Sequence, residues 1–298
     1  MNIIIVGCGK VGASLAERLS AEDHNLVLVD LNQQKVEDLS NRFDAMGVVG
    51  NGASFNIQQE AGVESADLFI AVTGADEGAR RAAKRRWDAC AKPLGSLGLL
   101  ETAVERLAAL TGSPEVCLTP RALLVLCADN GVVAQGVTQS GSEVTAAVTR
   151  NLALGRTSVC RMAAVADCAV VPVDLGVLDF PPVEGVLRRR AGNGTADLSQ
   201  GPAMAREQAV QAVLTGMDLV KEQQERGVRL VATGEMGIGN TTTSSAVACA
   251  LLGRPAEEMT GRGAGLSREG LRRKVRAIRR GLEVNRPDPA DPLDVLAK

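Results

Sequence analysis

The stretch that decides the fold is VRLVATGEMGIGNTTTSSAVACALLG, residues 228–253. Its beginning, VRLVATG (228–234), is largely apolar and predicts a strand, whereas TTTSSAVACALLG (241–253) predicts a helix. The turn GEMGIGNTT, residues 234–242, joins the two and contains three glycines, one acid and the first of a row of hydroxyl residues. A glycine-rich turn that opens a helix presents main-chain N–H groups and the positive end of the helix dipole. The pattern therefore predicts an anion site that binds phosphate.

Five residues of this turn are predicted to form the phosphate site. Gly237 and Gly239 let an anion approach the backbone, Asn240 can cap the helix, and Thr241 and Thr242 add hydroxyl donors. No lysine follows the glycines directly, so the turn is not a Walker A motif and nothing indicates ATP hydrolysis. The alternative is a well-capped strand-to-helix turn without a ligand.

Glu235 is the residue that this alternative does not explain. It lies between glycines at the end of the predicted strand, where its side chain is expected to face the cleft. A carboxylate there repels phosphate unless it serves another centre. We therefore predict that Glu235 stabilises positive charge or accepts a proton.

Outward from this turn, strands and helices alternate from residue 120 to the end of the chain. The pattern predicts strands at 122–128, 169–176 and 228–234, and helices at 142–155, 203–227, 241–253 and 268–285. Strands separated by helices indicate a parallel α/β sheet with ligands at the carboxyl ends of its strands.

The N-terminus carries a second glycine turn. Gly7, Gly9 and Gly12 form G-x-G-x-x-G after the apolar run NIIIV, and a second predicted strand ends at Asp30. In this context the glycines allow close approach of a pyrophosphate, and the acid can accept hydrogen bonds from ribose hydroxyls. The alternative is a strand-to-helix turn that needs glycine for its shape alone.

Residues 1–77 resemble the N-terminal half of the nucleotide-binding domain of Trk-type potassium-uptake regulators. IIIVGCGKVGASLAERL, VLVD, GNGAS and AGVESADLFIAVT carry the resemblance. It implies a partial Rossmann-like unit that binds NAD or another adenine nucleotide and, in the family, gates a potassium transporter. We expect weak nucleotide binding, because the further strands and helices of such a domain do not follow.

The sequence changes character after Glu77. A basic helix begins there, and its charge run between 80 and 86 is typical of a solvated helix face. From about residue 79 the chain resembles nicotinate-nucleotide–dimethylbenzimidazole phosphoribosyltransferase. We therefore predict two domains, at 1–77 and 78–298. The matching stretches are AKPLGSLGLLE, ADNGVVAQGVTQSGSEVT, NLALGRTSVCRMA, GTADLSQGPAM, GEMGIGNTTTSSA, GRGAGLSREGLRRK and NRPDPADPLDVLAK.

This resemblance implies a Rossmann-like α/β domain with helical additions and a defined reaction. A benzimidazole nitrogen attacks the anomeric carbon of nicotinate mononucleotide, nicotinate leaves, and an α-linked ribotide forms. The resemblance implies catalytic roles for Glu235 and Lys274. It also places base binding at 128–136, with Asp129, Asn130 and Gln135 as candidates. Relatives commonly have histidine where this chain has Asn130.

The resemblance further implies a homodimer and no cofactor. The family's glutamate base, in a stretch like GEGTGA, has no counterpart in these 298 residues, so the resemblance implies an incomplete transferase domain with impaired transfer. Two alternatives stay open. One is a nucleotide-binding regulator of potassium uptake, and the other is a fusion or truncation in which neither function is intact.

Composition excludes several classes of function. The net charge of −2 predicts no general attraction to nucleic acid or anionic membranes. Aromatic residues are 2% of the chain, which argues against base-stacking surfaces for single strands. No apolar run is long enough to span a membrane, and no signal peptide is predicted.

The cysteine and histidine content narrows the chemistry. Seven cysteines without a CxxC pair indicate reduced, buried thiols in a cytoplasmic protein. His24 is the only histidine of the chain, so Ser-His and Cys-His mechanisms are excluded outside its neighbourhood. A metal site is not predicted.

Overall fold

The computed structural model describes residues 1–22, 24–52, 54–72 and 76–298. These residues form two compact units, Met1–Val116 and Cys117–Lys298. Both are α/β units with a four-stranded parallel sheet, which confirms the predicted fold class. The domain boundary predicted between residues 77 and 78 differs from this division into compact units and stays a prediction.

The N-terminal unit has a Rossmann-like strand order of β3 (Met46–Val49), β2 (Asn25–Asp30), β1 (Asn2–Val6) and β4 (Leu68–Ala71). Side chains of β1 alternate between two layers: Ile3 and Ile5 pack in one cluster, and Ile4 and Val6 in another. This alternation explains why the apolar run at the N-terminus forms a strand that is buried on both faces. The elements of the unit are β1 Asn2–Val6, α1 Lys10–Ser20, β2 Asn25–Asp30, α2 Gln33–Phe43, β3 Met46–Val49, α3 Phe55–Glu60, a 3-10 turn Val63–Ser65, β4 Leu68–Ala71, α4 Glu77–Asp88 and α5 Leu99–Thr111.

The C-terminal unit has the strand order β7 (Leu187–Arg188), β6 (Cys168–Gly176), β5 (Arg121–Ala128) and β8 (Leu230–Met236). Strand β5 is also buried on both faces, with Leu124 in one cluster and Val125 and Cys127 in another. The elements are β5 Arg121–Ala128, a 3-10 turn Gly131–Gln135, α6 Glu143–Ala153, α7 Ser158–Val165, β6 Cys168–Gly176, β7 Leu187–Arg188, α8 Arg206–Glu225, β8 Leu230–Met236, α9 Asn240–Leu252, α10 Ala256–Met259, α11 Arg268–Asn285 and α12 Pro292–Ala297.

The packing of α11 against α9 positions the candidate site. Ala277 and Ile278 are buried in clusters that also contain Ala246 and Cys249 of α9. α11 begins sharply because the Ser267 hydroxyl caps it by accepting a hydrogen bond from the Gly270 N–H. Lys274 in the first half of α11 hydrogen-bonds Thr241 in the first turn of α9, so this part of α11 lies beside the start of α9, directly after β8.

The predicted strands at 122–128, 169–176 and 228–234 correspond to β5, β6 and β8. The sequence pattern does not reveal the short elements α7, β7, α10 and α12, whose few residues carry too little periodicity to stand out. Cys90 and Cys117 are exposed, so the expectation of buried thiols is wrong for these two. Within the described ranges, no helix is both long and apolar enough to cross a membrane.

Candidate active site

The site lies at the carboxyl end of β8, where the chain turns into α9. Glu235 is the second-last residue of the strand and lies opposite Leu126 of β5. Gly239 is the N-cap of α9, in the left-handed region at φ 95°. The helix therefore starts at Asn240 rather than being capped by it, which corrects that expectation.

Two glycines of the turn are required by close contacts. A Cβ on Gly237 would collide with the main-chain oxygen of Ala128 and come within 2.8 Å of Glu235 Oε1. A Cβ on Gly239 would meet Val133 Cγ2 at 3.0 Å. The turn is thus packed tightly onto the end of β5, and glycine is the residue that fits.

Side chains from outside the turn fix its backbone. Asn130 donates from Nδ2 to the Ile238 carbonyl at 3.1 Å, and its Oδ1 accepts from the Thr243 hydroxyl at 3.0 Å. The buried hydroxyl of Thr145 accepts a hydrogen bond from the Ile238 N–H at 3.1 Å. Both main-chain groups of Ile238 are therefore bound, and the turn is held in place before any ligand arrives.

Lys274 of α11 is the buried cation of the site, with 1% of its surface exposed. Its ammonium donates to Thr241 Oγ1 at 2.7 Å and to the Gly261 carbonyl at 3.3 Å. Among the residues that the structure describes, no carboxylate lies within 4.0 Å of Nζ. Desolvation lowers the pKa of Lys274. An ammonium has three donors, so one remains for an anion.

The carboxylate of Glu235 is linked to the same helix start. Its Oε2 accepts a hydrogen bond from Asn240 Nδ2. Glu235 keeps part of its surface exposed, and partial desolvation of the carboxyl group raises its pKa, whereas the hydrogen bond from Asn240 acts in the opposite direction. A carboxyl group in this setting can carry negative charge beside a sugar or exchange a proton.

A cavity of 210 Å³ opens beside the turn. Gly237, Gly239, Asn240 and Thr241 belong to its wall, together with 137–140 and 262–264. Neither Glu235 nor Lys274 belongs to this wall, but each is hydrogen-bonded to a wall residue, Asn240 and Thr241 respectively. Glu235 is exposed, whereas the Lys274 ammonium is buried beside the wall residue Gly263.

One predicted phosphate ligand points away from this cavity. Thr242 is completely buried, its hydroxyl has no partner among the described residues, and it is absent from the wall. Sequence reasoning missed Arg262, which contributes a cation to the wall. The signal was present in the sequence, because Arg262 is flanked by glycines in GRGAG.

The three residues predicted to bind the base lie in different surroundings. Asp129 is 1% exposed, and its Oδ2 accepts a hydrogen bond from the Leu178 N–H at 2.8 Å. Asn130 braces the turn through its amide. Gln135 donates to Asp197 Oδ2 at 2.6 Å and lines a separate, arginine-rich cavity. The structure thus brings Asn130 to the turn but not Gln135, and the role of these residues in base binding stays a prediction.

The N-terminal glycine turn is also tightly packed. Gly7 has φ 107°, and Gly9 is the N-cap of α1. The carboxylate of Asp30 accepts from the Cys8 N–H at 2.7 Å and from the Asn32 N–H at 2.9 Å. Asp30 therefore holds the turn against the end of β2, and each oxygen keeps capacity for a further donor such as a ribose hydroxyl.

Two glycines of this turn are expected to respond differently to alanine. A Cβ on Gly12 would collide with the Gly7 carbonyl oxygen, whereas nothing lies within 4 Å of a Cβ on Gly9. We expect Gly12→Ala to destabilise the chain by about 1–3 kcal/mol, and Gly9→Ala to leave its stability nearly unchanged. Urea unfolding followed by circular dichroism measures both, and equal midpoints would contradict this packing.

Both parts of the chain have matches among known proteins. Residues 72–298 match a family model described as phosphoribosyltransferase, and residues 3–85 match the TrkA-N domain. The chain is 46% identical over 215 residues to nicotinate-nucleotide–dimethylbenzimidazole phosphoribosyltransferase of Acetivibrio thermocellus. It is 45% identical over 224 residues to the enzyme of that name from Roseiflexus sp.. A solved structure of CobT from Thermus thermophilus superimposes with a TM-score of 0.68 at 43% identity.

These matches have defined extents. The Acetivibrio relative aligns with 72% of this chain, and this chain spans 61% of that relative's length. For the Roseiflexus relative the shares are 75% and 64%. The match to the Thermus structure covers 74% of this chain and 66% of the Thermus chain. Since the phosphoribosyltransferase model matches well over half of the chain, the chain belongs to the phosphoribosyltransferase family.

Proposed function

We propose that this chain binds nicotinate mononucleotide and transfers its phosphoribosyl group to 5,6-dimethylbenzimidazole. A benzimidazole nitrogen forms a bond to the anomeric carbon. The bond from that carbon to the nicotinate nitrogen breaks, and its electron pair neutralises the pyridinium ring. The products are nicotinate and α-ribazole 5′-phosphate, and the reaction uses no cofactor.

The observation that carries this proposal is the buried ammonium of Lys274 without a carboxylate partner in the described part of the chain. A buried charge is costly unless it is paired, so the counter-charge is expected from a ligand. The phosphate of the mononucleotide supplies it in the cavity beside Thr241. The wall residues Gly237, Gly239 and Arg262 leave room for that phosphate and add a second cation.

Glu235 is assigned to the sugar end of the substrate. Departure of nicotinate gives the ribose oxocarbenium character, and a nearby carboxylate stabilises that charge. Once the new bond has formed, the other benzimidazole nitrogen loses its proton to water, which gives the neutral ribotide base. The prediction that Asp129 and Asn130 contribute to base binding is retained, as are a homodimer and a cytoplasmic location.

A specific observation favours a second binding activity in the N-terminal unit. Its strand order places the glycine turn and Asp30 at the carboxyl edge of β1 and β2, where Rossmann-like sheets bind nucleotides. We propose weak binding of NAD or an adenine nucleotide there, looser than about 1 µM. Gly9→Ala tests it, because the added methyl group fits the free chain but occupies the approach to the turn.

Product analysis tests the proposed transfer. Incubation with nicotinate mononucleotide and dimethylbenzimidazole is expected to release nicotinate and α-ribazole 5′-phosphate in equal amounts, measured by chromatography. Omission of the benzimidazole provides the control, because it separates transfer from hydrolysis. Bound mononucleotide without any ribotide product would contradict the transfer and leave only donor binding.

The affinity for the mononucleotide is expected to fall at alkaline pH. Desolvation lowers the pKa of Lys274 from the ordinary 10.5, so the ammonium loses its proton at a lower pH than an exposed lysine. Only the charged form attracts phosphate, and binding weakens as pH rises through that lowered pKa. Stability has the opposite sign: it rises over the same interval, because the unfolded chain retains the proton longer. Calorimetric titrations from pH 7 up to the ordinary lysine pKa of 10.5 measure the first effect, and a constant affinity over that range would contradict it.

A further inference from the structure

We propose that Asn240 is the positioning residue of Glu235, rather than a phosphate ligand. This inference rests on the proposed function, because it concerns the carboxylate that is assigned to the sugar. The two residues stand on opposite sides of the turn, one at the end of β8 and the other at the first position of α9. Their side chains meet through Asn240 Nδ2 and Glu235 Oε2.

A main-chain contact fixes the orientation of the Asn240 amide. The Thr241 N–H donates to Asn240 Oδ1 at 2.7 Å, so the oxygen of the amide faces the helix backbone. The NH₂ group must then face the other way, toward the carboxylate. Orientation of this amide is thus set by the backbone of α9, and the amide in turn sets the position of the Glu235 carboxylate.

The same contacts occupy most of the hydrogen-bonding capacity of the Asn240 side chain, so little remains for a phosphate. Its amide oxygen is an acceptor and would repel an anion, and one hydrogen of Nδ2 is directed at Glu235. At most one hydrogen remains for the cavity. Lys274 and Arg262 are therefore the charged donors available to phosphate there, and the contribution of Asn240 lies at the sugar.

The hydrogen bond from Asn240 is the main interaction that stabilises the charged form of Glu235. Among the described residues, no cation lies within 4.0 Å of its carboxylate. The Cys127 thiol on β5 interacts with Glu235 but is neutral at physiological pH, because burial raises its pKa to about 11. Within the described residues, the hydrogen-bond path from Lys274 to Glu235 runs through Thr241 and Asn240. The hydrogen bond from the neutral Asn240 amide therefore lowers the pKa of this carboxyl group, against the effect of desolvation.

The test compares Asn240→Ala with Asn240→Asp and with the control Ser244→Ala, at another position on the same helix. Glutamate labelled with ¹³C at Cδ reports the titration of each carboxyl group by NMR, and Glu235→Gln assigns the signal. In Asn240→Ala we expect Glu235 to titrate at a higher pH than in the unsubstituted chain. In Asn240→Asp the acceptor for the Thr241 N–H is kept, and the adjacent carboxylates should titrate in two separated steps. An unchanged Glu235 titration in Asn240→Ala would overturn the proposal.

Calorimetry separates this inference from the proposed function. Each variant is titrated with nicotinate mononucleotide and with its phosphate-free nucleoside, and the ratio of the two affinities is compared. Positioning predicts the same ratio in Asn240→Ala as in the unsubstituted chain. If the mononucleotide binds more tightly than the nucleoside in the unsubstituted chain but equally in Asn240→Ala, Asn240 is a phosphate ligand and the positioning role is refuted. A ratio of one in the unsubstituted chain would refute the proposed function instead.

Discussion

Replacement of Lys274 by methionine is expected to weaken binding of nicotinate mononucleotide by about 10- to 100-fold, the range for a hydrogen bond to a charged group. The ammonium is buried, donates to Thr241 and Gly261, and has no carboxylate partner in the described residues. Its third donor is therefore available to the phosphate. Methionine has a similar length and no charge, so the fold should remain intact. Removal of an unpaired buried charge should also leave stability unchanged or increase it.

Calorimetric titration measures the effect, and thermal unfolding monitors the fold. The matched control is Arg272→Met, which removes an exposed cation from the same helix two residues away. The control should bind the mononucleotide as the unsubstituted chain does. Equal affinities for Lys274→Met and Arg272→Met would show that the buried ammonium does not contact the ligand.

Substitution of Gly237 by alanine is expected to damage the site and the fold together. The added methyl group would collide with the Ala128 carbonyl, which belongs to the central strand and cannot move aside. It would also come within 2.8 Å of Glu235 Oε1 and 3.0 Å of Asn130 Nδ2. Overpacking of this kind typically costs about 1–3 kcal/mol. Displacement of the turn should additionally abolish detectable binding of the mononucleotide.

Gly234→Ala is the control for this substitution, because a Cβ there makes ordinary contacts of 3.4 Å or more. Urea unfolding and calorimetry on both variants measure stability and binding. We expect a large loss in Gly237→Ala and a small one in Gly234→Ala. Similar stabilities for the two would mean that the turn is not packed as described.

The sequence was sufficient to locate the glycine turn, because its signals are local. An apolar run, glycines and a helical segment succeed one another within 26 residues, and β8, the turn and α9 follow in that order. The same holds for the N-terminal turn between β1 and α1. Local patterns are also sufficient for the parallel sheets, since alternation of strands and helices leaves few other arrangements.

The contacts that give the site its chemistry span long distances in the chain. Asn130 and Ile238 are 108 residues apart, and Lys274 and Thr241 are 33 apart. No local pattern indicates that a lysine on a basic helix is buried beside a threonine on another. Similarly, the direction in which Thr242 points depends on how α9 packs, so its burial could not be read from a run of threonines. Only the resemblance to a family raised Lys274 above the other cations of α11.

The direct test of the central claim is a pair of calorimetric titrations with nicotinate mononucleotide and nicotinate riboside, which differ only in the 5′-phosphate. That phosphate is assigned to the turn after β8, beside Thr241 and the ammonium of Lys274. We therefore predict that the mononucleotide binds at least about tenfold more tightly than the riboside. Equal affinities for the two compounds would contradict the assignment of this turn as a phosphate site.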